Sequence, residues 1–239
     1  ILSLDGKLDE GQYAINNALI EWVTLANVVN AGGDISDEAG NPTINTDAMR
    51  SVVEQLKSVA DAGLMSPYGE DGYAMFQSGD VLFSTDGTWT STAHGSVEGL
   101  NFGVTNIYSV TPDKFTNRSS AHLFSLLNNE DRTDEKEQGV ADFLSWMREN
   151  SLDWAGAGQI VASKEVFESE EYQQYPQSFF TSSDVEKEAS YIFDYKYYSY
   201  VESALGTVLS DMIYGNITID EGLDQAQKTV EDLIAENAS

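Results

Sequence analysis

The sequence predicts an α/β fold, because amphipathic helical stripes alternate along it with a few short apolar runs of strand length, separated by turn chemistry. The strands are few and scattered, so helices carry most of the expected core.

The elements follow in order. Residues 13–30, YAINNALIEWVTLANVVN, carry apolar side chains on more than one face and predict a buried helix. AGGDISDEAGNPTIN follows, with turn residues throughout. Residues 46–62 place Met49, Val52, Val53, Leu56 and Ala60 on one helical face, with Thr46 or Asn45 as cap and Gly63 suited to a left-handed exit. DGYAMFQS predicts a short helix ending at Gly79, and VLFST, NFGVTNIY and AHLFSLL predict strands. Residues 134–149 predict a helix with Val140, Phe143, Leu144 and Met147 inward. GQIVAS is a short strand or extended segment, and residues 191–214 predict a long aromatic-rich helix. In the closing helix Thr218 and Glu221 form a capping box, and Leu223, Ala226, Val230 and Leu233 form the apolar stripe.

Composition narrows the partners. With 239 residues, 41% of them hydrophobic, the chain can build one large domain or two small lobes. Forty acidic residues against twelve basic ones give a net charge of −28, which repels nucleic acid and anionic membranes. The absence of cysteine excludes disulfides and thiolate metal sites. No apolar run approaches the roughly 18–20 residues of a membrane-spanning helix. The chain opens on Ile1, which predicts a processed or truncated chain.

Three places invite a ligand. Trp89 lies between Gly87-Thr88 and Thr90-Ser91-Thr92, where backbone leaves a strand and enters a helix. An indole there either covers a core edge or lies flat against the C–H face of a sugar, with Asp86, Thr88 and Thr90 as polar neighbours. YIFDYKYYSY places Tyr191, Tyr195, Tyr197, Tyr198 and Tyr200 in ten residues. On a helix about two of these face a ligand and the rest pack, and any one of them alone reads as packing. Trp22, beside Glu21, reads as core by default, since it falls mid-helix.

Signatures of chemistry are poor. His94 and His122 are the only histidines and have no metal-binding spacing. Nucleophile-elbow, phosphate-loop and dinucleotide motifs are missing. DISDEAGNPTIN only faintly follows a calcium loop, with glycine misplaced and the closing glutamate lacking. Forty carboxylates make any acid/base pair easy to draw, so spacing alone identifies none. NRS and NIT are glycosylation triplets that arise by chance.

The order of pieces is more informative. NAGGDISDEAGNPTINTDAMRSVVEQLKSVADAGL resembles the mid-chain segment of extracellular solute-binding proteins of sugar-type ABC importers, the family of the maltose-binding proteins. MFQSGDVLFSTDGTW is similar to that family's segment ending in G-x-W, with Leu82-Phe83 where Ala-Met is usual. NFGVTNI resembles the strand leading to the interlobe hinge. EKEQGVADFLSWMREN and WAGAGQIVASKEVF resemble the next helix and turn, with valine and alanine replacing Pro and Arg. GNITIDEGLDQAQKTVEDLI resembles the closing helix.

The resemblance implies a type II periplasmic-binding-protein-like fold, here mainly the second lobe plus an orphaned contribution to the first. It implies residues 1–107 as the first part of the second lobe, 108–170 as a segment crossing to the first lobe, and 171–239 as the closing part of the second. It implies a non-enzymatic carbohydrate receptor that is extracellular, lipid-anchored or periplasmic, that needs no cofactor or metal, and that has membrane permease subunits and its own N-terminal lobe as partners. Trp89 would stack on the sugar, Asp86 and Thr88 would bind hydroxyls, and Tyr197 or Tyr198 would form the opposite wall, with Trp22, Glu21 and Ser120 as further candidates. A secreted carbohydrate-active enzyme and a receptor for another solute are the competing expectations. Scarce Arg and Lys disfavour an anionic ligand.

Overall fold

The computed structural model describes residues 1–111, 114–184 and 188–237. By contacts the chain divides into two units: unit 1 comprises residues 1–86, 106–119 and 188–239, and unit 2 comprises 87–105 and 120–187. Residues 106–119 fall in unit 1, because side chains of unit 1 capture their backbone, as described below.

Unit 1 opens with strand β1 (Tyr13–Ile15) and helix α1 (Ile20–Asn30), where the sequence predicts one helix over 13–30. The difference is physical. Tyr13 and Ile15 pair in parallel with Val81 and Phe83 of β2 (Val81–Phe83). Leu19 then takes a left-handed conformation (φ 50°) as the N-cap, so the helix cannot extend backwards. Helix α2 (Asp47–Asp61) is as predicted: the Thr46 side chain accepts from the Met49 N–H, Gly63 exits at φ +69°, and Met49, Val52, Val53 and Leu56 are buried. Helix α3 (Gly72–Ser78) is capped by Asp71 and closed by Gly79 in the left-handed region.

The second sheet of unit 1 pairs β3 (Asn117–Arg118) in parallel with β4 (Ser190–Tyr191). Buried Asn27 and Asn30 on α1 explain why residues 106–111 and 114–116 stay with unit 1. Asn27 donates to the Tyr108 carbonyl (3.1 Å) and accepts from the Val110 N–H (2.7 Å); Asn30 accepts from the Thr116 hydroxyl (2.7 Å). The NFGVTNIY stretch forms no strand, against expectation, and its end is held by side chains: Asn117 accepts from the Ile107 N–H (2.9 Å) and Asn27 donates to the Tyr108 carbonyl.

Unit 1's two long C-terminal helices are Tyr198–Ile213 and Ile219–Glu236. The aromatic helix begins at Tyr198, not at 191, because Tyr191 belongs to β4. Thr218 and Glu221 form the expected capping box, and Leu223, Ala226 and Val230 are buried. Together with α1 and α2 these helices enclose one continuous core, including Leu25, Leu56, Leu205, Leu209 and Met212.

Unit 2 contains a 3₁₀ turn over Thr88–Thr90 and the helices α4 (Ser91–Gly95), α5 (Asp134–Glu149), α6 (Ser151–Gly156) and α7 (Lys164–Phe167). The segment Tyr172–Thr181 follows in further 3₁₀ turns. Helix α5 has its predicted bounds, but no residue on it is buried, and Phe143 and Leu144 are exposed instead of inward. AHLFSLL is not a strand, and Leu123, Phe124, Leu126 and Leu127 are exposed. Among the described residues of unit 2, no neighbouring strand offers that stretch a ladder partner, and its Phe124 meets Phe143 of α5 only edge-on (6.0 Å), so both stay exposed. The small core of unit 2 is Ala155, Val161 and Tyr172.

Candidate ligand-binding site

The Trp89 corner, in unit 2, is built by a glycine. A Cβ on Gly87 would overlap the six-membered ring of Trp89, so the indole folds back onto the Gly87 α-carbon. One face of the ring is thereby seated on backbone, while the residue remains 49% exposed. Thr90 donates to the Gly87 carbonyl (2.8 Å), closing the turn beneath it. Gly158 (φ +88°) supports the corner from elsewhere in unit 2: any side chain there would collide with the Thr88 carbonyl oxygen and come within 3.0 Å of Trp89 Cα. A flat, rigid, half-exposed aromatic face is what stacking on a sugar ring needs.

A second constellation lies in unit 1. Glu202 accepts hydrogen bonds from the Trp22 indole N–H and from Arg118 (2.9 Å). Arg118 donates through Nε to the Tyr198 hydroxyl (2.7 Å), and its guanidinium lies over Trp22 (4.3 Å) and Tyr198 (5.3 Å). The Arg118 side chain is 10% exposed and that of Glu202 is 25% exposed. Burial pushes the Tyr198 phenol up to about 12, against the Arg118 contact, which lowers it. Burial also raises the Glu21 carboxyl; Glu202 adds to the rise and Arg118 opposes it.

The predicted residues thus separate. Trp22, Glu21 and Tyr198 gather around Arg118 and Glu202, and Trp22 is half-buried at a helix edge where the sequence suggests core. Tyr197 is half-buried in a different aromatic group, stacked on Tyr200 (5.7 Å, 22°) and edge-on to Tyr195. Asp86 accepts from Ser84 (2.5 Å), which in turn accepts from buried Asn16 (2.7 Å). Thr88 belongs to the Trp89 turn, and Ser120 is exposed at the start of a unit 2 segment. Sequence reasoning missed Arg118 and Glu202. Arg118 had a signal: it is one of only twelve basic residues, and it falls in a stretch read only as a glycosylation triplet.

Among the described residues no group of three His, Asp or Glu side chains could hold an ion. The calcium-like loop is an Asx turn, in which Asp37 accepts from the Ala39 and Asn41 N–H groups and from the Asn41 amide. Those bonds, the Asn41 amide first, hold the Asp37 carboxyl below its usual value.

The architecture is that of the type II periplasmic binding proteins. The chain belongs to the bacterial extracellular solute-binding protein family, which matches residues 4–181. Among solved structures, it resembles the maltose/maltodextrin-binding domain of Bdellovibrio bacteriovorus bound to maltotriose, with TM-score 0.76 at 17% identity over 98% of this chain and 63% of that one. A solute-binding protein of Agrobacterium radiobacter in complex with ribitol gives 0.74 at 16% identity, over 97% and 63%. The cyclic alpha-maltosyl-1,6-maltose binding protein of Arthrobacter globiformis gives 0.68 at 18% identity, over 95% and 61%. The chain therefore spans under two thirds of the length of these structures. Comparison with curated proteins returned no match.

Proposed function

We propose that this chain is the C-terminal portion of the carbohydrate-binding component of a bacterial ABC importer, a receptor that performs no chemistry. The observation that carries the reading is Trp89: an indole seated on Gly87 by one face and half-exposed in a polar turn. The sugars bound by the structural neighbours add support. In this reading Trp89 stacks on a neutral sugar, Asp86 and Thr88 take hydroxyls, and Tyr197 or Tyr198 walls the ligand, with Trp22, Glu21 and Ser120 as further contacts.

The segments 1–107 and 171–239 are proposed as second lobe, and 108–170 as the segment that crosses to the first. The protein works extracellularly, lipid-anchored at the cell surface or free in the periplasm, and its N-terminal lobe and the permease are its partners. Ligand contacts to both lobes shift the population toward the closed form that the permease recognises.

The test is calorimetric titration of the full-length protein with neutral mono- and oligosaccharides, alongside an assay for released product. Wild type should bind without turnover. Trp89→Ala should lose about 1–3 kcal/mol of binding, in the range of hot-spot truncations, with little change in melting temperature. Product release, or unchanged binding by the variant, defeats the reading.

A further inference from the structure

Strands β1 and β2 run in parallel, and their ladder ends at the pair Ile15 and Phe83. The next residues, Asn16 and Ser84, lie just past the carboxyl ends of the two strands, the end of an open α/β sheet at which ligands bind. Pairing continues there through side chains. The Asn16 amide nitrogen donates to Ser84 Oγ (2.7 Å), and the Asn16 amide oxygen accepts from the Thr85 N–H (3.3 Å). Asn16 is 1% exposed, and helix α3 closes on it with Gly72, where a Cβ would stand 2.6 Å from the Asn16 Cβ. One buried amide thus fixes both the side chain of Ser84 and the backbone of Thr85.

The direction of these bonds is determined. A backbone N–H can only donate, so the Thr85 N–H turns the Asn16 oxygen toward itself and the amide nitrogen toward Ser84. The Ser84 oxygen then accepts, and its single hydrogen is left for Asp86 Oδ2, at 2.5 Å. The chain of bonds runs one way, from the buried amide outward to the carboxylate. Asp86 at its end is half-buried. A carboxylate offers about four acceptor positions, and Ser84 takes one of them.

We propose that Asn16 and Ser84 are positioning residues for ligand binding, a one-way relay that holds Asp86 as a fixed acceptor for a hydroxyl of the ligand. The inference rests on the carbohydrate-binding reading, in which Asp86 takes a sugar hydroxyl, and adds what aims that carboxylate. Neither Asn16 nor Ser84 has to touch the sugar. Their effect is preorganisation: a carboxylate oriented during folding costs less ordering when the ligand arrives. The relay also sets a preference, since a ligand lacking the hydroxyl that faces Asp86 offers this acceptor no donor.

The test titrates maltose, maltotriose and ribitol into the full-length protein and its variants, with melting temperatures measured throughout. The variants are Ser84→Ala, Ser84→Thr, Asn16→Asp, Asp86→Ala, Trp89→Ala and the double change Ser84→Ala with Asp86→Ala. For the probe that wild type binds, Ser84→Ala should weaken binding about fivefold, the scale of one hydrogen bond, with little change in melting temperature. Ser84→Thr keeps the hydroxyl and should restore most of that loss. Asn16→Asp turns an acceptor toward Ser84, draws its hydrogen inward and should match Ser84→Ala; should it fail to fold, the Ser84 variants decide. A relay acts only through its end, so Ser84→Ala should cost nothing further once Asp86 is alanine. Losses that multiply in the double variant overturn the relay, because Ser84 then acts by another route. Unchanged binding in Ser84→Ala and Asp86→Ala, with binding lost in Trp89→Ala, overturns the relay and leaves the carbohydrate reading standing. If wild type binds none of the three probes, reading and relay fall together.

Discussion

Unit 1 and unit 2 are made from one composition by opposite means. Unit 1 closes its core: four long helices bury Leu25, Leu56, Leu205, Leu209 and Met212 completely. Unit 2 leaves its apolar groups outside. Its core cluster is Ala155, Val161 and Tyr172, while Leu123, Phe124, Leu127, Phe143 and Trp146 are exposed. A solvated apolar side chain contributes nothing toward folding, so unit 1 carries the stability of the chain and unit 2 depends on what covers it. Exposed large apolar groups are frequent over residues 123–146, and the N-terminal lobe is the cover proposed for them.

The largest effect that could break this comparison is a cavity in unit 1. Leu209→Ala removes a fully buried side chain between the closing helices and should cost about 2–5 kcal/mol, as large-to-small core changes do. Urea denaturation should show unit 1 amides losing their hydrogen-exchange protection together. A loss below 1 kcal/mol would mean that the unit 1 core is not what holds the chain.

Arg118→Ala comes next. It leaves Glu202 with the Trp22 N–H and the Tyr198 hydroxyl and removes a cation lying over Trp22 and Tyr198. Because Glu202 is one-quarter exposed, solvent tempers the cost to about 1–3 kcal/mol, below that of breaking a fully buried pair. Trp22 reports the change directly, since its emission should shift as the guanidinium leaves its face. An unaltered Trp22 spectrum and unaltered stability would show that the cluster does not fasten β3 to α1 and the Tyr198–Ile213 helix.

A smaller effect is electrostatic. Burial, and then Glu202, raise the Glu21 carboxyl above its ordinary value of 4.5, so the fold favours the protonated form. The resulting stability is fully present below the unfolded value and is lost as pH rises through the raised folded value. Wild type should therefore lose stability relative to Glu21→Gln as pH climbs from about 4.5 toward neutrality. Parallel stability curves for the two proteins across that window would remove Glu21 from the cluster's electrostatics.

How much of this the sequence made legible follows the same division. Helix α2 and the closing helix were readable to the cap, because a 3.6-residue apolar period and a local hydrogen bond agree there. The start of α1 was not, since pairing between Tyr13 and Val81 overrides a helical pattern across 68 residues of chain. Tyr191 was lost from its helix for the same reason, through β3–β4 pairing. In unit 2 the α5 bounds were readable, but the burial of Phe143 and Leu144 was not: periodicity tells which face is apolar, not whether anything covers it. Trp89 was legible from its glycine and polar neighbours. Arg118, Glu202 and Gly158 were not, because each acts on residues far away in sequence.

The smallest expected effect tests the exposed side of the comparison. Leu123 and Leu127 are 76% and 79% exposed, so each already pays most of its hydration cost in the folded chain. Replacing both by serine should change the stability of the 239-residue chain by at most about 0.5 kcal/mol each, as surface substitutions do. The same substitutions in the full-length protein should behave differently. If an N-terminal lobe covers this face, the leucines are buried there, and each loss should cost about 1–3 kcal/mol by the transfer scale. The informative quantity is therefore the difference between the two measurements, obtained from urea denaturation of chain and full-length protein under one set of conditions. A large difference places the cover on residues 123–127. Equal, small losses in both would show that this face stays in water in the whole protein, and the exposed groups of α5 would then need a partner outside the polypeptide.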